Sequence, residues 1–190
     1  MDPQTIGSNV PRGGNALTRW LGRALLRGMG WRLSGEFPNQ PKMIIAVAPH
    51  TSNVDFVLTV GVIWSLGLRA SYLAKRSLFR FPLGFVMRAF GGIPVERGGP
   101  QGLVDQMSAQ FAASGKLILG IAPEGTRQKV RHWKKGFALI AQASNVPVLP
   151  AIVNYQTRIV HFAPLIEDVS DVDFTLASVK QAASAGFGRI

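Results

Sequence analysis

Short apolar runs alternate along the chain with longer segments in which apolar residues recur at helical spacing. Residues 43–48 are uniformly apolar and lie between Pro41 and Pro49, which is typical of a strand buried on both faces. Similar runs predict strands at 70–74, 93–96, 116–122 and 146–153, and the segments between them predict helices at 56–68, 82–90, 102–114 and 133–144. This order predicts a single α/β domain with a largely parallel central sheet flanked by helices.

The two ends of the chain differ from this alternating body. Residues 1–14 are rich in Gly, Pro and Ser, and we expect a flexible leader there. In residues 15–33, Arg19, Arg23 and Arg27 share one helical face, opposite the apolar residues Leu17, Trp20, Leu21, Ala24, Leu25 and Trp31. This pattern predicts an amphipathic helix that either lies at a membrane interface or packs on the domain. The domain itself is predicted to span residues 34–166, followed by a weakly structured C-terminal segment, 167–190.

The composition is both basic and apolar. The net charge is +11, yet only 16% of the 190 residues are charged and 47% are hydrophobic. We therefore expect an anionic membrane surface as a partner and no nucleic acid, because nucleic-acid binders usually carry more charge and a recognisable module. The strongest apolar run, 56–68, has 13 residues, fewer than the roughly 20 that a membrane-spanning helix needs. The N-terminus carries no secretory signal, so we expect an intracellular protein that lies on a membrane without crossing it.

The absence of Cys excludes a disulfide framework, a thiolate nucleophile and Cys-ligated metal sites. Among the residues that remain, His50 directly follows the strand predicted at 43–48, and Asp55 lies at the start of the next helix. Because the chain passes there from loop to helix, Asp55 can reach back to one ring nitrogen of His50. A carboxylate in that position fixes the tautomer and leaves the other nitrogen as a general base. The alternative is a capping Asp beside a buried, hydrogen-bonded His.

Two further segments carry groups suited to an anion. In the sequence GGIPVERGG, from Gly91 to Gly99, Arg97 lies at the end of the predicted short strand, where a guanidinium offers two parallel hydrogen bonds to a phosphate or carboxylate. The strand predicted at 116–122 leads into PEGTR, in which Gly125 permits a close backbone approach, Thr126 can donate a hydrogen bond and Arg127 can hold an anion. Glu124 either orients Arg127 or accepts a proton from a ligand hydroxyl. The alternatives are a turn with a surface arginine and a solvated basic loop.

Four motifs of this chain closely resemble, in order and spacing, the signature blocks of the glycerolipid acyltransferase superfamily, typified by 1-acylglycerol-3-phosphate acyltransferases. They are HTSNVD from His50 to Asp55, GIPVER from Gly92 to Arg97, PEGTR from Pro123 to Arg127 and VPVLP from Val146 to Pro150. Each motif alone is weakly specific, but four in series are strongly so. The likeness extends from about residue 30 to about residue 165. The chain departs from the family pattern in having one amphipathic helix in place of a long hydrophobic anchor.

The resemblance implies a mechanism and a set of site residues. His50, oriented by Asp55, would take the proton from an acceptor hydroxyl, whose oxygen attacks the thioester of acyl-CoA or acyl carrier protein. The glycerol-phosphate part of the acceptor would be bound by Arg97, Glu124, Gly125, Thr126 and Arg127, with Lys75 as a further phosphate contact. Residues 146–150 would border the acyl channel, although a core strand is the simpler interpretation of that apolar run. No metal or other cofactor is implied.

The resemblance leaves the acceptor open. We expect O-acylation of a lysolipid in phospholipid biosynthesis, with 1-acylglycerol-3-phosphate (lysophosphatidic acid) as the leading acceptor. Other lysophospholipids and lyso-ornithine lipids are alternatives, as is a non-catalytic module that only binds a membrane surface. The expected location is the cytoplasmic face of a bacterial inner membrane, with peripheral or monotopic attachment.

Overall fold

A computed structural model of the protein describes residues 6–49, 54–95, 100–124 and 133–184. In these ranges it has six α-helices: α1 (Ala16–Gly28), α2 (Val54–Leu66), α3 (Leu83–Ala89), α4 (Pro100–Ala113), α5 (Gly136–Ser144) and α6 (Val172–Ala183). Seven strands accompany them: β1 (Arg32–Gly35), β2 (Lys42–Ala48), β3 (Ala70–Lys75), β4 (Gly92–Val95), β5 (Leu117–Ile121), β6 (Val148–Asn154) and β7 (Ile159–Phe162). A 3-10 turn, Arg76–Phe79, connects β3 to α3.

The strands form one sheet in the order β1-β7-β6-β2-β5-β3-β4. Every pair of neighbours is parallel except β6 and β7, which are antiparallel. The expectation of an α/β domain with a largely parallel central sheet is therefore confirmed. The strands from β6 to β4 in this order all point the same way, so the segments that follow them begin at one edge of the sheet.

Helices cover both faces of the sheet because the central strands are apolar on both sides. On one face, Ile44 and Ala46 of β2 pack in a cluster with residues of α4, α5 and α6, including Phe111, Phe137 and Val179. On the other face, Met43 packs in a cluster that includes Leu66 from the end of α2. The alternation of neighbouring β2 residues between the two clusters is the side-chain period of a strand.

The strands and helices predicted between residues 43 and 153 match the observed ones within a few residues, whereas β1, β7 and α6 were not predicted. Strands β1 and β7 were not predicted, because each has only four residues and mixes polar with apolar positions. Pro150 lies inside β6, and the strand continues through it. The carbonyl oxygen of Pro150 still accepts a bond from the amide of Ala163, so the ladder continues past a residue that has no N–H.

The prediction of a flexible leader is wrong for residues 6–14. Ile6 and Val10 are buried in the cluster on the α2 side of the sheet, and Val10 has no exposed surface. The backbone is also paired, since Gly13 N–H donates to Gly67 O at 3.0 Å and Arg69 N–H donates to Pro11 O at 2.9 Å. The buried side chains of Ile6 and Val10 therefore anchor this segment to the domain, although its Gly and Pro content suggested a flexible leader. Residues 1–5 lie outside the described residues.

The predicted N-terminal helix is shorter than 15–33 and packs through a different face. It ends at Gly28, Gly30 takes a φ of +73°, and the chain enters β1 at Arg32. The helix contacts α2 through Gly22 and Leu26, its two buried residues. Gly22 allows this approach because a Cβ there would lie 2.4 Å from the backbone nitrogen of Ser65.

The prediction of a weakly structured segment from residue 167 onward is also wrong for the residues described. Asp168 accepts hydrogen bonds from Ser170 Oγ and Ser170 N–H, which lower the pKa of its carboxyl. Asp171 then caps α6 by accepting from the amides of Asp173 and Phe174 at 2.8 and 3.0 Å. Leu176 and Val179 of α6 pack into the core beside α5, which provides the apolar burial that a stable helix needs. Residues 185–190 lie outside the described residues.

Gly22 and Gly28 provide a matched test of the α1–α2 contact. We expect Gly22→Ala to lower the free energy of unfolding by about 1–3 kcal/mol, because its Cβ collides with the α2 backbone. Gly28→Ala, with no heavy atom within 4 Å of the added Cβ, should be neutral or stabilising by up to about 1 kcal/mol. Urea unfolding followed by circular dichroism measures both. Equal effects of the two substitutions would contradict the close packing of these helices.

Candidate active site

Two of the motifs found in the sequence follow strands that end at one edge of the sheet, and a third, GIPVER, forms β4 and runs toward the same edge. Strand β2 ends at Ala48, just before His50, and its neighbour β5 ends at Ile121, just before the PEGTR motif. Strands β3 and β4 follow in the same direction and end at Lys75 and Val95. Because the carboxyl ends of parallel strands share one edge, the chain brings these segments together, in the position where open α/β sheets commonly bind ligands.

The structure describes three of the eight predicted site residues. Asp55 lies in the first turn of α2, Glu124 follows β5, and Lys75 is the last residue of β3, with an exposed side chain. The other five lie outside the described residues: His50, Arg97, Gly125, Thr126 and Arg127.

Asp55 and Glu124 differ from every other acidic side chain in the described part of the chain because they are buried. Their exposed fractions are 1% and 6%. Removing a carboxylate from water is costly unless hydrogen bonds or opposite charges compensate, so acidic residues are seldom buried without a structural or functional reason. Both of these residues come from motifs that the sequence singled out for chemistry.

The carboxylate of Asp55 is held by a residue that the sequence did not point to. The hydroxyl of Tyr155 donates a hydrogen bond to Asp55 Oδ1. Tyr155 directly follows β6, the neighbour of β2, so it lies at the edge of the sheet where β2 ends. Its ring stands edge-on against buried Trp31, with 4.9 Å between centroids and 89° between planes. The one sequence feature that could have pointed to Tyr155 is its place as a polar aromatic residue directly after a buried strand.

The described residues on the two sides of 125–132 are joined by a backbone hydrogen bond. The amide of Lys134 donates to the carbonyl oxygen of Pro123 at 2.8 Å, which joins the chain on the two sides of residues 125–132. Phe137 and Ala138, in the first turn of α5, are buried against the sheet just beyond. Glu124 is therefore held between a buried strand and an anchored helix.

An open cleft of about 850 Å³ lies beside Lys75. Three arginine side chains line it, together with uncharged residues from the 3-10 turn, β4 and α4: Arg76, Arg80, Arg88, Ser77, Phe79, Pro94, Gly102 and Gln106. The guanidinium of Arg88 lies over the ring of Phe79, 5.6 Å from its centroid, and Gln106 Nε2 donates to Pro94 O at 2.9 Å. Guanidinium groups bind phosphates well, so this cleft is suited to a phosphorylated ligand.

The fourth motif, VPVLP, lies in the core of the domain and away from this edge. Val148, Leu149 and Pro150 pair with the middle of β2, and Val148 and Leu149 have no exposed surface. They pack in clusters on opposite faces of the sheet. The observed position supports the interpretation as a core strand rather than the wall of an acyl channel.

Eleven large hydrophobic side chains are exposed in the described part of the chain, and ten of them lie on α1, α2 and residues 78–90: Leu17, Trp20, Leu21, Phe56, Val57, Leu78, Phe81, Phe85, Val86 and Phe90. These elements are neighbours, since α1 packs on α2 and Trp64 of α2 stacks on Phe90, with 6.3 Å between ring centroids. We call these ten residues the apolar face. Among the described residues, no helix combines the length and the hydrophobicity that crossing a bilayer requires.

The described residues contain no cluster of three or more His, Asp or Glu side chains that could hold a metal ion. The one histidine among them, His161, lies on β7, where its Nδ1 is 2.9 Å from Ser34 Oγ. His161 pairs with Ile152 of β6, so it lies two strands away from β2, the strand that leads to Asp55.

Comparison with known proteins agrees with the resemblance that the motifs carry. The chain is 28% identical over 144 residues to a 1-acyl-sn-glycerol-3-phosphate acyltransferase of Saccharomyces cerevisiae, which covers 72% of this chain and 46% of the yeast protein. It is 28% identical over 151 residues to the protein of that name from Cocos nucifera, covering 75% of this chain and 47% of the relative. The chain thus spans about half the length of these curated relatives.

The fold is also shared with a solved structure. The crystal structure of the 1-acyl-sn-glycerophosphate (LPA) acyltransferase PlsC from Thermotoga maritima aligns with a TM-score of 0.61 at 16% identity, covering 91% of this chain and 80% of that one. The sequence model of the Acyltransferase family matches residues 32–154, which include all four motifs and both buried carboxylates. The chain belongs to the acyltransferase family.

Proposed function

We propose that this protein transfers a fatty acyl chain from a thioester, acyl-CoA or acyl carrier protein, to a hydroxyl of a lysolipid, with 1-acylglycerol-3-phosphate as the leading acceptor. The observation that carries the proposal is the burial of Asp55 and Glu124, each in a motif of the family, after adjacent strands at one edge of the sheet. The names of the relatives support the same acceptor.

The reaction requires a base, a route for its proton and no covalent enzyme intermediate. In the proposed mechanism, His50 takes the proton of the acceptor hydroxyl as the oxygen attacks the thioester carbonyl carbon. When the tetrahedral intermediate collapses, the C–S bond breaks and the imidazolium of His50 returns the proton to the departing thiolate. Asp55, fixed in the first turn of α2, orients the imidazole and stabilises the imidazolium.

The acceptor phosphate is proposed to bind near the ends of β3, β4 and β5, beside the strand that leads to His50. Lys75 ends the strand next to β5, and the motif residues Arg97 and Arg127 follow β4 and β5. The cleft beside Lys75 adds three more guanidinium groups to this edge. Such a concentration of cations supports a phosphorylated substrate. Glu124 is proposed to accept a hydrogen bond from the glycerol part or to orient Arg127.

The protein is proposed to work at a membrane surface. The apolar face has the composition of an interfacial surface, because Phe81 and Phe85 are 97% and 81% exposed and arginines of α1 border it. Anionic lipid would attract those arginines. Peripheral attachment by this face would present the carboxyl edge of the sheet to a lipid substrate. The cytoplasmic face of a bacterial inner membrane remains the proposed location.

Substitution of the proposed base tests the function. We expect His50→Ala to reduce acceptor-dependent thiol release by at least about 1,000-fold, since removing the base of such a pair usually costs that much. Asp55→Asn should reduce it by about 100-fold or more. His161→Ala, which removes a histidine hydrogen-bonded to Ser34 on β7, is the matched control and should retain wild-type turnover. A His50→Ala protein with wild-type turnover would contradict the proposed mechanism.

The phosphate site can be tested by the choice of acceptor. Arg127→Ala should raise the KM for 1-acylglycerol-3-phosphate by about 10–100-fold, because it removes a charge-assisted hydrogen bond. The same variant should acylate monoacylglycerol, which lacks the phosphate, as well as the wild type does. Lys116→Ala, at the amino end of β5, is the control and should leave both KM values unchanged. An equal loss with both acceptors would argue against a phosphate contact.

Vesicle binding tests the apolar face. Phe81→Ser combined with Phe85→Ser should weaken binding to vesicles of phosphatidylglycerol and phosphatidylcholine by about 10-fold or more, since each exposed ring is expected to bury in the interface. Phe174→Ser is the matched control, because Phe174 is 57% exposed on α6, across the sheet from α1 and α2. Co-sedimentation measures both. If Phe174→Ser weakens vesicle binding as much as the double substitution does, the apolar face is not the membrane-binding surface.

A further inference from the structure

We propose that Tyr155 is a positioning residue of the active site, which acts on the reaction through Asp55. The proposal rests on the proposed function, in which Asp55 orients His50. Three features carry it: the contact of the Tyr155 hydroxyl with a buried carboxylate, the fixed placement of Tyr155 itself, and the position of the two residues in segments that follow the neighbouring strands β2 and β6.

The hydrogen bond to Tyr155 restricts the carboxylate of Asp55. One carboxylate oxygen, Oδ1, accepts the phenolic proton, so rotation of the carboxylate would break that bond. The main chain at this position is also held, because Asp55 O accepts from Thr59 Oγ1 at 2.7 Å within the first turn of α2. A base of the His-Asp type works only when the carboxylate keeps one orientation toward the imidazole. Tyr155 supplies that constraint from outside α2.

Tyr155 is itself fixed from two directions. Its ring packs edge-on against Trp31, which is 6% exposed and lies just before β1. Its backbone lies in the connection between the antiparallel strands β6 and β7, where Asn154 Oδ1 accepts from the amides of Gln156 and Thr157 at 3.0 Å each. The phenol is therefore presented to Asp55 by a closed turn and an aromatic contact.

Tyrosine has the right chemistry for this role. A phenol is neutral at physiological pH and donates a single proton, so it can hold a carboxylate without cancelling its charge. A lysine or arginine in the same place would form an ion pair and weaken the attraction between Asp55 and an imidazolium. Tyr155 thus fixes the orientation of the carboxylate and leaves its charge available to His50.

The experiment is steady-state kinetics of Tyr155→Phe with acyl-CoA and 1-acylglycerol-3-phosphate. The substitution keeps the ring on Trp31 and removes only the hydroxyl. We expect kcat to fall about 10-fold, the loss that one hydrogen bond to a charged group represents, with both KM values within twofold of wild type. Tyr72→Phe is the matched control, because the Tyr72 hydroxyl contacts the sulfur of Met87 at 3.5 Å, and its kcat should be unchanged.

A double-mutant cycle separates positioning from a general loss of structure. In an Asp55→Ala background, Tyr155→Phe should lower the residual kcat by less than twofold, because its partner is already gone. A tenfold fall in both backgrounds would overturn the proposal, as would a normal kcat in Tyr155→Phe while Asp55→Asn remains impaired. If His50→Ala and Asp55→Asn both retain wild-type turnover, the proposed function fails and this proposal with it. Normal turnover of Tyr155→Phe alone leaves the proposed function intact.

Discussion

The cost of keeping two carboxylates out of water is the constraint on which the rest of the site depends. Asp55 and Glu124 are 1% and 6% exposed, and such groups are tolerated only where their surroundings compensate for lost hydration. For Asp55, compensation includes the Tyr155 hydroxyl, which is supplied by a strand on the far side of β2 from β5. The sheet must therefore place β6, β2 and β5 side by side before the site can exist.

The topology meets that requirement through parallel pairing. Strand β2 lies between β6 and β5, and all three end at one edge. The HTSNVD and PEGTR motifs are far apart in the chain, yet one follows β2 and the other follows its neighbour β5, and the GIPVER motif forms β4 on the same side of the sheet. Packing on both faces makes the arrangement rigid: α4, α5 and α6 cover one face, and α2 with the N-terminal segment covers the other. The contact of α1 with α2 leaves the apolar side chains of α1 exposed beside those of residues 78–90.

The sequence predicted the parts of this structure that depend on local pattern. The uniformly apolar strand at 43–48 and the apolar helix predicted at 56–68 depend on the local composition of the chain, and both appear within two residues of where they were expected. Residues 6–14 and α6 were misjudged because their order comes from partners distant in the chain: Val10 is buried in a cluster with Phe37 and Leu68, and Val179 packs in one with Phe137. Composition does not record such contacts. Tyr155 was missed for the same reason. Its proposed role depends on a hydrogen bond to Asp55, which lies 100 positions away in the chain.

The most direct test of the central claim is product analysis from an unbiased mixture of acceptors. The protein, bound to vesicles, would be given acyl-CoA and a mixture of lysophosphatidic acid, other lysophospholipids and lyso-ornithine lipid, and the products would be identified by mass spectrometry. The account predicts phosphatidic acid as the main product, with release of one thiol per acyl chain transferred. Vesicle binding without consumption of an acyl thioester, from either CoA or acyl carrier protein, would contradict it and favour a non-catalytic membrane module.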